Sequence, residues 1–139
     1  SPFDALQPYR LEMGTRLKTK KGSNLYDFWG ETISKTLNQA AEGHTDPTLV
    51  NLASQEYFGA VDAKALKLPV VTCHFKEEKH GELRVLGSFA KKARGRMARY
   101  AIDNRVDRAE GLKGFDLDGY RFQPSLSTPS DWVFARPQP

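Results

Sequence analysis

The chain has 139 residues, 39% of them hydrophobic and 27% charged, with eight Phe, two Trp and a net charge of +4. That is enough apolar material for one core and too little length for two comfortable domains; the composition is globular rather than disordered, and no run is long and apolar enough to cross a membrane. A single cysteine, Cys73, has no intramolecular partner and excludes a disulfide scaffold; with no signal-peptide layout at the start, a reducing cytoplasm is expected.

The opening Ser1-Pro2-Phe3 carries no Met, as expected of a piece of something longer or of a chain relieved of a tag. Residues 9–22 then hold five Lys or Arg against Glu12, a local balance of +4. Asn24 or Ser23 is placed to cap a helix over 25–41, in which Leu25, Phe28, Trp29, Ile33 and Leu37 recur at helical spacing and are read as core. Asp27 and Glu31 suit the positive end of its dipole, and Gly43 with Asp46-Pro47 ends it.

Residues 48–52 read as a short buried strand that feeds a helix over 55–61 capped by Ser54. A strand running into a helix start points backbone N–H groups at an anion, and Asn51 and Ser54 offer side-chain hydrogen bonds there. Glu56 adds negative charge at the same place, so Ser54 as plain cap and Glu56 as dipole partner is the competing reading. Residues 68–76 form a strand, 77–81 a polar turn, and 83–89 the returning strand of a hairpin. His74 is read as a paired structural histidine, His80 as a solvated turn residue and Cys73 as a small buried side chain. No CxxC or HExxH is present and His44, His74 and His80 are scattered. The residues therefore designate no catalytic group, no metal ligands and no cofactor.

The stretch "AKKARGRMARY", residues 90–100, carries five basic side chains. Phe89, Ala93, Met97, Tyr100 and Ala101 fall on one helical side. Lys92, Arg96 and Arg99 border it on one flank, and Lys91, Arg94 and Arg105 on the other. Residues 88–108 hold seven Lys or Arg against two Asp, a balance of +5, so everything outside the two basic segments sums to −5. Concentrated charge of this kind suits a phosphate backbone, and an ordinary solvated helix face is the alternative. Gly95 within the helix is compatible with the close approach of a ligand or another backbone. Asp107 is expected to cap a short helix toward Leu112. Leu112-Lys113-Gly114-Phe115 partly resembles the hairpin of helix-hairpin-helix DNA binders, but Asp116 and Asp118 beside it repel phosphate. Residues 120–122 and 132–136 read as two last strands, and residues 1–139 as a single domain of α+β class with mixed or antiparallel strands and several helices.

Five segments, "LQPYRLEMGTRL", "LYDFWG", "NLASQEYF", "SFAKKARGRMARY" and "GFDLDGYRF", together resemble the YaaA family of bacterial peroxide-stress proteins, in order along nearly the whole chain. The resemblance covers the carboxy-terminal half of that family's domain; the amino-terminal half, with its "SPAKT"-type opening, is absent. The resemblance implies a mixed α+β fold peculiar to the family, a cytoplasmic setting, protection from hydrogen peroxide and limitation of free iron. It also implies DNA binding through a basic cleft, with no reaction firmly assigned. Carried over by position, the basic helix supplies Lys91, Lys92, Arg94, Arg96 and Arg99. The first motif supplies Tyr9, Arg10 and Glu12, and the strand–helix corner supplies Asn51, Ser54, Glu56 and Tyr57.

Two functions are expected on these grounds. One is a DNA-binding protein with salt-sensitive, structure-selective affinity, in which Tyr9, Tyr57 and Tyr100 stack on displaced bases. The other is an enzyme acting on a small anionic substrate such as a nucleotide or nucleobase, which requires Glu12, Glu56 and Lys91 in one closed pocket. A third reading makes these residues a buried ion-pair network. Without the other half of the domain, the chain is expected to expose apolar surface that a partner piece covers.

Overall fold

A computed structural model describes Ala5 and residues 10–139. It is α+β, as expected: helices pack on one mixed sheet. The helices are α1 (Leu25–Trp29), α2 (Thr32–Ala40), α3 (Gln55–Phe58) and α4 (Gly87–Asp103). The strands are β1 (Leu49–Asn51), β2 (Val70–Lys79), β3 (Glu82–Arg84), β4 (Arg121–Phe122) and β5 (Asp131–Pro137). Their order is β1-β2-β5-β4, with β3 on β2 as well. β1 and β5 run parallel to β2, and β3 and β4 are antiparallel to their partners.

Register decides which side chains share a face. Cys73 lies beside Trp132, Phe75 beside Phe134 and Glu77 beside Arg136, so these six point to one side of the sheet. That side is the core. Ala90, Ala93 and Met97 of α4 close over it, with Leu112, Phe115 and Tyr120 from the segment after the helix. The small side chains of α4 let its backbone approach, and the aromatic rings fill what remains. Phe75 stacks on Phe134 with centroids 5.5 Å apart and meets Phe115 and Tyr120 edge-on. The alternating burial of β2 is what a strand with one sealed face produces.

Several expected elements come out differently. The helix over 25–41 is broken into α1 and α2 because Gly30 takes φ 48° and caps α1. Asn24 caps it as expected, accepting from Asp27 N at 2.9 Å. The aromatic stripe is not core: Trp29 is exposed and Leu25, Phe28, Ile33 and Leu37 are only half-buried. The reason is where these helices dock. Ser34 donates to Asp62 O, Asn38 to Ala65 O and Tyr26 to Glu56 O, so they pack on the connection after β1 and not on the sheet.

The turn of the hairpin is shorter than read. β2 continues to Lys79, and only His80 and Gly81 form the loop, both with positive φ, as a two-residue hairpin requires. β3 ends at Arg84, and residues 87–89 begin α4 instead of continuing a strand. α4 stops at Asp103, so Arg105 lies beyond it, at φ 49°, and not on its flank. Asp107 does not cap the next helical turn. Asp46, far off in sequence, accepts from Ala109 N at 2.8 Å and starts the 3-10 helix Ala109–Gly114. The hairpin-like Leu112-Lys113-Gly114-Phe115 belongs to that 3-10 helix and its cap, with Leu112 and Phe115 in the core.

Gly95 sits opposite the buried side of α4, and a Cβ there would meet nothing within 4 Å among the described residues. Gly95→Ala is therefore expected to stabilise the fold by about 0.5–1 kcal/mol, read by chemical denaturation. The same variant tests the close-approach reading, since a ligand seated on Gly95 would be displaced by the added methyl.

Candidate functional site: the cationic face of the long helix

Five sequence-designated cations ride on α4, and the helix geometry distributes them. Lys91, Lys92, Arg96 and Arg99 are exposed, and Arg94 is half-buried beside the sealed face. Two of them have acidic neighbours. Arg99 Nε donates to Asp103 Oδ2 at 3.0 Å one turn along the helix, an exposed pair worth only about 0.3–0.5 kcal/mol. Arg96 lies 3.5 Å from Asp118, a half-shielded contact. Asp118, expected from the sequence to repel phosphate, thus draws Arg96 to itself. No described carboxylate lies within ion-pair distance of Lys91, Lys92 or Arg94.

Asp118 also ties α4 to the end of the sheet. Its carbonyl accepts from Arg136 Nη1 at 2.8 Å, and its own φ is 55°. Arg136 lies between the rings of Phe89 and Tyr120, 5.1 Å and 4.5 Å from their centroids. Its Nε is 3.4 Å from Oε1 of Glu77, which is 1% exposed and accepts from the Tyr120 hydroxyl. Glu77 Oε2 takes no hydrogen bond from any described residue. Burial pushes the Tyr120 phenol well above its ordinary range, and the Glu77 carboxylate pushes it further. Sequence reasoning misses this buried group by assigning Glu77 to a polar turn. Its even spacing from Cys73 and Phe75 is the one available signal, since period-2 alternation puts all three on one face.

The strand–helix corner forms, but as a clamp. Ser54 is the N-cap residue of α3 without a side-chain cap bond. Asn51 is buried, accepting from Ala53 N and donating to Thr72 Oγ1. Glu56 accepts from Met13 N at 3.0 Å and Tyr57 donates to Leu11 O at 2.5 Å, fastening the segment before α1. Glu12 faces water beside Arg10 at 2.9 Å. Tyr9 lies outside the described residues. Glu12, Glu56 and Tyr57 are thus neighbours through the 10–13 segment. No hydrogen bond or ion pair among the described residues joins them to α4.

Two other reactive groups have structural roles. Cys73 is buried and its thiol is pushed up to about 12 by that burial, so it is not a thiolate at neutral pH. We expect no reaction with a disulfide reagent at pH 8 until the protein is unfolded by denaturant. His74 is paired as expected: its Nε2 lies 2.8 Å from Asp131 Oδ1. That contact, then the Ser130 hydroxyl, holds the Asp131 carboxyl below its usual value. A depressed folded value means the contribution is present above the unfolded pKa of about 3.9 and is lost as pH falls through the folded value. Asp131→Asn should therefore lose stability at pH 7, by well under about 1 kcal/mol after solvent screening. The difference from the unsubstituted protein should shrink in melts as pH falls through the folded value.

The family model for "Peroxide stress protein YaaA" matches residues 1–126. The chain belongs to the YaaA family. Among its YaaA-family relatives, the UPF0246 protein of Caulobacter vibrioides (strain NA1000 / CB15N) is 91% identical over 138 residues, 99% of this chain and 54% of that protein. The UPF0246 protein of Caulobacter sp. (strain K31) is 82% identical over the same shares. That of Phenylobacterium zucineum (strain HLK1) is 68% identical, covering 99% of this chain and 52% of its own length. The chain spans about half the length of the curated relatives it matches. No helix among the described residues is long and apolar enough to cross a membrane.

Proposed function

We propose that this chain acts in the cytoplasmic response to peroxide by binding DNA through the outward side of α4, and so helps limit iron-dependent damage. The observation that carries the reading is the placement of Lys91, Lys92, Arg96 and Arg99, all exposed on one 17-residue helix whose other side is sealed on the sheet. A rigid helix presenting cations at fixed spacing positions phosphates without reading bases. The family's name, peroxide stress protein, supplies the biological setting.

The grip is an open helix surface, with Arg94 and Arg105 at its margins, and Asp118 tempers it by holding Arg96. Binding is structure-selective and salt-sensitive with little sequence preference. Titration of fluorescent duplex and bulged DNA at rising salt tests it. A steep loss of affinity with salt is expected, and a flat response would overturn the reading. Asp118→Asn should tighten binding by releasing Arg96.

The alternative, an enzyme acting on a nucleotide or nucleobase, draws no support from the carboxylates it needed. Glu56 is engaged by the Met13 amide, and Glu12 faces water beside Arg10.

A further inference from the structure

The two parallel connections step the same way along the sheet, from β1 to β2 and from β2 to β5. Parallel crossovers are right-handed, so both fall on one face. Leu52 from the first and Ala93 and Met97 from the second pack into the same core cluster, in agreement. By that rule the opposite face receives neither connection.

That opposite face is half apolar and only partly covered. Register places Leu49, Val70, Thr72, His74 and Val133 on it. Leu49, Val70, Thr72 and His74 are each half-buried, and Val133 is buried. Toward the hairpin end lies a hollow of about 380 Å³ lined in part by Leu83, Leu126, Ala135 and Pro137. Leu126 is 48% exposed there. A polar row, Asn51–Thr72–Asp131, crosses the three parallel strands side by side, with His74 bonded to Asp131. Parallel sheets are stable with both faces buried, and the second face of this one is closed only over Val133, Ala135 and Asn51 and left partly open along β1 and β2.

We propose that this second face is the docking surface for the remainder of the longer chain that the relatives carry. Three observations select that occupant. The chain covers only 54% of the Caulobacter vibrioides protein, so a body of similar size remains outside the match. The partly covered face belongs to parallel strands, which a soluble protein covers from its own chain. The surface mixes a hollow of apolar side chains rimmed by Glu78 and Arg121 with a fixed polar row, and the row supplies a register that a purely apolar patch lacks.

The test uses single cysteines as reporters. Thr72→Cys and Leu126→Cys are placed in this chain, and the same changes at the aligned positions of the full-length Caulobacter vibrioides protein. Ile102→Cys, on the exposed side of α4 at 70% exposure, is the control. Labelling by a maleimide is followed over time. Both face reporters are expected to label fast in this chain and about 100-fold more slowly in the longer protein, while Ile102→Cys labels alike in both. Cys73 is buried and is expected to stay unlabelled while the chain is native, so its labelling reports unfolding. Equal labelling of the face reporters in the two proteins overturns the proposal. Protection in this chain alone that grows with its concentration also overturns it, because a second copy would then be the occupant. Leu126 lies outside the packed core, so its variant keeps the test readable even where Thr72→Cys disturbs the sheet.

Discussion

Glu77→Ala is expected to destabilise the protein by about 3–5 kcal/mol, the largest effect of any single polar substitution here. Glu77 is 1% exposed, beside Arg136 and accepting from Tyr120. Removing the carboxylate leaves the Arg136 guanidinium, whose side chain is 12% exposed, without its counter-charge and the Tyr120 hydroxyl without an acceptor. Urea denaturation measures the loss directly. The double variant Glu77→Leu with Arg136→Met should recover most of it, because a buried ion pair replaced by apolar groups of similar volume is often neutral or better. A loss below about 1 kcal/mol in the single variant would show that water reaches the pair.

The second large effect is on DNA binding. With Lys91, Lys92, Arg96 and Arg99 all facing water, up to four phosphates are neutralised, and log K against log salt should fall with a slope of about −3 to −4. Lys91→Ala with Lys92→Ala should bring that slope about 2 closer to zero and weaken binding to every sequence alike. Neither side chain belongs to the core, so thermal stability should hold. An unchanged slope in the double variant would place the phosphate contacts elsewhere, for instance on the basic segment before α1.

Much of the fold was legible because its signals are local. The strands around residues 49–51, 70–76 and 132–136 announced themselves by β-branched and aromatic runs. Asn24 was readable as a cap because a capping bond spans three residues. The sealed side of α4 followed from Ala93 and Met97 at helical spacing. The errors fell where a distant residue decides. Glu77 looks like a turn residue beside Glu78 and Lys79, and only its partners on β5 and in the segment after α4 make it core. Asp107 looks like a cap, but Asp46 already holds the Ala109 amide. The stripe on α1 and α2 looks like core because spacing reports one face of a helix, not what that face meets.

By itself the sequence determined the class, the family resemblance and the concentration of cations on one amphipathic helix, because composition and short-range periodicity are properties of the chain alone. Only the tertiary structure decided which cations meet an acid, Arg96 beside Asp118 and Arg136 beside Glu77, and which face of the sheet is only partly covered. Ion pairing and burial depend on distances between residues far apart in the chain, and no local pattern encodes those distances.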